Sequence, residues 1–204
     1  TNLTGQSAVS ILQNNISQRL HNTTNIDQTI VYTVTPVSGA AGACIGLPFI
    51  TTVTVEPTPV IPALTDAICS GGTFTITPAN AGSTIVPTGT TYTWTIKTNN
   101  NSLTGQSNVA TAQNSISQTL VNATNTAQTI EYEVTPTSGN CAGAPFVVTI
   151  TVQPTPVISN QFATTCSGGF FVASPQNNGS VIVPSGTTYI WTVVQNPNVT
   201  GASD

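Results

Sequence analysis

Residues 88 to 96, Thr-Gly-Thr-Thr-Tyr-Thr-Trp-Thr-Ile, return almost unchanged as residues 185 to 193, and this repetition constrains the chain more than any other feature. Within the stretch Tyr92, Trp94 and Ile96 alternate with Thr91, Thr93 and Thr95. A strand built this way has three large apolar groups on one face and three hydroxyls on the other, so one face is core and one is water. Pro87-Thr88-Gly89 and Pro184-Ser185-Gly186 launch the two copies. In each, proline fixes one backbone angle and glycine supplies a positive one.

The repetition extends over the whole chain. Thr4-Gly5-Gln6-Ser7 returns as Thr104-Gly105-Gln106-Ser107, and Tyr32 to Pro36 returns as Tyr132 to Pro136, both shifted by 100. After Gly39 the first copy carries three extra residues, so Pro57-Thr58-Pro59-Val60-Ile61 meets Pro154-Thr155-Pro156-Val157-Ile158 at a shift of 97. Cys69 with Cys166 and Trp94 with Trp191 keep that shift. Each Pro-Thr-Pro follows a strand and cannot continue a central ladder, so it marks a joint between repeats. Three parts follow: 1–58 as the back of one repeat, 59–155 as a complete repeat of about 97 residues, and 156–204 as the front of another. The chain reads as a segment of a longer array. Neither end part is expected to fold alone, because each lacks strands that cover its apolar face.

Strands are expected near 60–64, 73–78, 90–98, 115–121, 128–135 and 145–153, with a further short strand near Leu103. Alternation sends Ile130, Tyr132, Val134, Phe146, Val148, Ile150 and Val152 inward and Glu131 and Glu133 outward. The fold class is all-β, as tandem sandwiches. Val109 to Gln118 has some helical propensity, but its threonines favour strand or loop.

Composition limits function. Only 4% of the 204 residues are charged, and six acids against two bases, Arg19 and Lys97, give a net charge of -4 with no run of either sign. Nucleic acid and anionic membrane would need a basic footprint that is missing. No stretch approaches the roughly 18 apolar residues of a membrane span, and no charged start precedes an apolar segment, so neither membrane insertion nor a leader is expected.

A Trp on the third strand (Trp94, copied as Trp191), a Tyr on the penultimate one (Tyr132, copied as Tyr32) and about 95 residues per unit resemble the immunoglobulin-like sandwich. Val134 stands where the second cysteine of that fold would be. More specifically, Cys69-Ser-Gly-Gly-Thr-Phe, Ile85-Val-Pro-Thr-Gly-Thr-Thr-Tyr-Thr-Trp-Thr, Ile116-Ser-Gln-Thr-Leu and Tyr132-Glu-Val-Thr-Pro-Thr-Ser-Gly resemble the PKD-like repeats of flavobacterial (Bacteroidota) surface proteins. Such repeats build giant gliding adhesins such as SprB, exported by the type IX system. The resemblance implies an extracellular, cell-surface stalk or filament serving adhesion and gliding motility.

Chemistry has few candidates. The single histidine, His21, has Val121 as its repeat counterpart, whereas a site kept by the repeat would keep its ligand. No Ser/His/Asp, Cys/His or paired-carboxylate set can be assembled from residues that both copies share. Glu131 and Glu133 are too few oxygens for calcium. No enzymatic activity, cofactor or metal is therefore expected. The sequons at Asn2, Asn22, Asn122 and Asn198 are what an Asn- and Thr-rich chain supplies by chance.

The cysteines Cys44, Cys69, Cys141 and Cys166 recur in placement, and export favours disulfides. Cys69 precedes the second strand and Cys141 lies in the last hairpin. An immunoglobulin-type order puts these at opposite ends of the sandwich, about 20 Å apart, whereas a disulfide needs Cα atoms within about 7 Å. A bond between neighbouring repeats fits this order; a bond within one repeat requires the first loop to fold back along the sandwich. The leading functional expectation is a structural stalk whose partners are neighbouring repeats and an extracellular surface or polysaccharide. The alternatives are a glycan- or protein-binding module and the accessory domain of an enzyme.

Overall fold

The computed structural model describes residues 2–39 and 42–201. Among these residues there is no helix, and so none long and apolar enough to cross a membrane. Two short strands, β1 (Leu3–Thr4) and β2 (His21–Asn22), pair antiparallel, and a longer antiparallel pair follows, β3 (Gln28–Val34) with β4 (Phe49–Val55).

The central copy supplies the remaining ten strands: β5 (Leu64–Cys69), β6 (Thr73–Ile76), β7 (Thr91–Thr98), β8 (Leu103–Thr104), β9 (Val109–Gln113), β10 (Ile116–Thr119), β11 (Val121–Asn122), β12 (Gln128–Ser138), β13 (Cys141–Ala142) and β14 (Phe146–Gln153). The main sheet runs β5-β14-β12-β7-β9, with β13 closing a hairpin on β12. The β6–β10 pair faces it, and β8 with β11 forms a short flanking ladder. Two sheets with apolar inner faces and Thr-rich outer faces make a β-sandwich of the immunoglobulin type.

Strand β12 is the axis of the core. Tyr132 stands opposite Val148 on one side and Ile96 on the other, and Val134 stands between Phe146 and Trp94. Alternation then buries Ile130, Tyr132 and Val134 with Val148, Ile150 and Val152, all at 0–1% exposure, as the pattern predicts. Phe74 from β6 and Ile116 from β10 close the other side. Between the sheets, where no cysteine stands, the Phe74 and Tyr132 rings lie 5.8 Å apart and tilted, so aromatic packing does the joining. Every member of the buried cluster lies between Ile61 and Val152, inside the span 59–155.

Some expected features moved. The strand placed at 60–64 is instead β5, Leu64–Cys69, which runs parallel to β14 from Val148↔Leu64 to Gln153↔Cys69. Pro59 and Pro62 flank Val60, which makes only an isolated bridge to Ile85; the missing proline N–H groups keep this stretch out of the ladder. Cys69 therefore ends an edge strand rather than sitting in a loop.

The flanking copies keep their strands or turns but not their burial. In the first, Val31, Phe49 and Ile50 are exposed. Residues 156–201 contribute only the bridges Val157↔Ile182 and Asn178↔Val181. Trp191, expected to share the core role of Trp94, is 72% exposed against 4% for Trp94, because the described residues 156–201 form no sheet to cover it.

Candidate functional site

Two polar side chains, Gln118 on β10 and Asn122 on β11, organise the central copy. Gln118, buried on β10, accepts a bond from the Tyr132 hydroxyl at 2.6 Å and donates through Nε2 to the Ser107 carbonyl and hydroxyl, both at 2.7 Å. This ties the 104–107 turn to the central strand. Gly105 allows that turn to approach: its φ is +89°, and a Cβ there would collide with the Thr119 carbonyl oxygen. Burial pushes the Tyr132 phenol up to about 12.

Asn122, 2% exposed, satisfies all four of its side-chain bonding positions. Its amide donates to the Thr126 carbonyl at 2.7 Å and the Val152 carbonyl at 2.9 Å, and its oxygen accepts from the Thr124 N–H at 2.9 Å and the Thr124 hydroxyl at 2.7 Å. The Asn-x-Thr spacing here is thus an Asx-turn lock that pins the β11–β12 connection to β14. Its amide nitrogen is committed in the folded protein, so this sequon is structural and not a free acceptor.

The remaining titratable groups are dispersed. Glu131 lies 3.8 Å from Lys97 on the outer face, both partly exposed, a pairing worth little in water. His21 is exposed on β2. Among the described residues no three of His, Cys, Asp and Glu cluster. Two open depressions of about 310 and 270 Å³ lie on the complete copy, one beside Asn80, Pro87 and Tyr92, the other beside Thr93, Asn108 and Glu133. Neither is lined by a histidine or a cysteine.

All four cysteines are free thiols. Cys69 lies beside Gln153 at one end of the main sheet, and Cys141 pairs with Ser138 in the hairpin at the other. Cys141 faces the joint, with Sγ 3.6 Å from the Glu56 carboxylate. Its thiol is pushed up by burial and then by that carboxylate. Of the structural residues expected from the repeat, Trp94 and Tyr132 are both buried in the core, Trp94 opposite Val134 and Tyr132 opposite Ile96, Tyr32 bonds Gln18 at 2.8 Å in the first copy, and Trp191 is exposed. Gln118 and Asn122 were missed as sites, although Gln18 and Asn22 repeat them at the 100-residue shift.

No curated protein matches the chain. A family model described as the PKD-like domain matches residues 1–59 and again 66–156. These two matches cover well over half of the 204 residues, and the chain belongs to the PKD-like domain family.

Proposed function

We propose that this chain is a stretch of a structural array, the stalk or filament of a long secreted adhesin at a bacterial cell surface, with gliding adhesins exported by the type IX system as its specific setting. The observation that carries the reading is repetition of packing devices without repetition of the histidine or of any carboxylate. Gln18 and Gln118 hold the same turn, Asn22 and Asn122 the same lock, and Asn80 and Asn177 the same bonds to Val86 and Val183. His21, Asp27 and Glu56 have Val121, Ala127 and Gln153 as counterparts. Copies alike in what folds them, and unlike in the histidine and carboxylates that acid–base or metal chemistry would need, suit a rod, where each unit repeats one interface. PKD-like domains are generally non-catalytic modules, which agrees.

Small-angle scattering from proteins of one, two and three copies of residues 59–155 tests the rod. The maximum dimension should rise by a constant step of about 30–40 Å per copy, the length of an eight-residue strand with its joint. A step that shrinks with copy number would mean collapse. Binding of a single copy on a polysaccharide array would replace the rod with a ligand-binding module. Protease accessibility on intact cells tests the surface location.

A further inference from the structure

Cys141 lies beside Glu56, and Glu56 is the residue that the 97-residue shift maps onto Gln153. In the complete copy Gln153 is the registered parallel partner of Cys69, so the two side chains leave the same face of adjacent strands. Adjacent strands stand about 4.8 Å apart. In an array, the copy before this one therefore has its own counterpart of Cys69 beside Glu56, on the face from which the Glu56 carboxylate reaches Cys141.

The opposite end of the copy repeats the arrangement. Thr155, in the joint to the following copy, donates its hydroxyl to the Ser70 carbonyl at 3.3 Å, and Ser70 N–H bonds the Gln153 carbonyl at 2.8 Å. The residue after Cys69 is thus held against the joint. The hairpin is seated at the first joint as firmly, because a Cβ on Gly143 would collide with the Pro59 carbonyl oxygen. Neither cysteine is deep in the core; Cys69 is exposed and Cys141 half-buried.

We propose that Cys69 of each copy is bonded through a disulfide to the hairpin cysteine of the copy that follows, a covalent staple across every Pro-Thr-Pro joint. The proposal rests on the array reading above. Cys44 and Cys141 are then the hairpin halves of two successive staples, and Cys69 and Cys166 the edge-strand halves of two others. No two of the four belong to one staple, which accounts for four free thiols in this stretch. One Sγ–Sγ bond forms at each joint. Two protons and two electrons pass to the disulfide of an oxidising exchange partner, whose own sulfur–sulfur bond breaks to give two thiols. Load along the rod would then cross the joint through two covalent paths, the linker and the staple.

Counting thiols decides it. Proteins of one, two and three copies of residues 59–155 are equilibrated with oxidised glutathione, and the free thiols of the purified monomers are titrated in denaturant after removing mixed disulfides by mass selection. Staples between copies leave two thiols whatever the copy number, one at each end. Closure within copies leaves none, and absence of bonding leaves two per copy; either result overturns the proposal. Direction is checked with two copies carrying a single cysteine each. Cys69 in the first with Cys141 in the second should close and lose two hydrogens in mass, and the reverse order should stay reduced while circular dichroism shows both proteins folded. Equal closure of both orders would overturn the proposal. Scattering on the same samples reports the rod separately, so a straight array without staples would sink this inference alone.

Discussion

The first copy and the central copy share their hydrogen bonds and differ in their burial. The Tyr32 hydroxyl reaches Gln18 at 2.8 Å as Tyr132 reaches Gln118 at 2.6 Å, and the Asn22 amide reaches the Val55 carbonyl at 2.8 Å as Asn122 reaches Val152 at 2.9 Å. Yet Tyr132 is fully buried and Asn122 nearly so, whereas Tyr32 and Asn22 are only half-buried. Local polar devices need a few residues and a turn. A core needs the second sheet, which the first copy lacks within this stretch. The same side-chain bond should therefore be worth much more in the central copy, where losing it strands a desolvated partner.

The tryptophans give the largest contrast. Trp94→Ala should destabilise the central copy by about 3 to 5 kcal/mol, enough to unfold a small sandwich with total stability of order 5 to 10. Trp191→Ala should leave the same denaturant midpoint within roughly 0.5 kcal/mol. Adding the rest of the third copy should erase the difference. Urea titration of the two variants checks the first part, and equal losses in this chain would break the comparison.

Asn122→Ala should cost about 2 to 3 kcal/mol, since the Val152 carbonyl loses its donor in a buried site and the Thr126 carbonyl loses one in a partly buried site. Asn22→Ala should cost a fraction of that, read as a small loss of amide-exchange protection at Thr24. Comparable protection losses at Thr24 and Thr124 would show that the lock, not its burial, carries the energy.

Alkaline pH should act on the central copy through its buried tyrosines. Burial holds the Tyr132 proton to about 12, above the ordinary value of 10.0, and raises Tyr92 as well. A raised folded value means that the stability is fully present below pH about 10 and is lost as pH climbs from there toward 12, at up to about 1.4 kcal/mol per pH unit for Tyr132. Tyr132→Phe should flatten the fall in urea midpoint over that window.

The smallest effect concerns the joint. Glu56→Gln, which gives the first joint the glutamine of the second, should remove the carboxylate part of the upward shift at Cys141. Cys141 should then react faster with a maleimide near neutral pH, because the thiolate is the nucleophile. An unchanged rate would leave burial as the whole cause.

Much of the architecture was legible in the residues. Strict alternation around Trp94, Tyr132 and Val148 identifies strands and their inner faces, because in a strand side chains separate by parity alone. That His21 and Asp27 fail to recur was equally plain from the 100-residue shift. The edge strand β5 was not legible, because Leu-Thr-Asp-Ala-Ile-Cys becomes a strand only by pairing with β14, some eighty residues away. The burial of Gln118 and Asn122 was not legible either, because it follows from the packing of β6, β10 and β14 around them. Nor does the repeat reveal that Trp94 and Trp191, in nearly identical local sequence, end with 4% and 72% exposure. What residues dictate by themselves is the direction of each side chain and the turn that follows it, since these depend on neighbours in the chain. Burial depends on which strands arrive from elsewhere, and so only the tertiary structure decides which of the identical devices bears the weight of the fold.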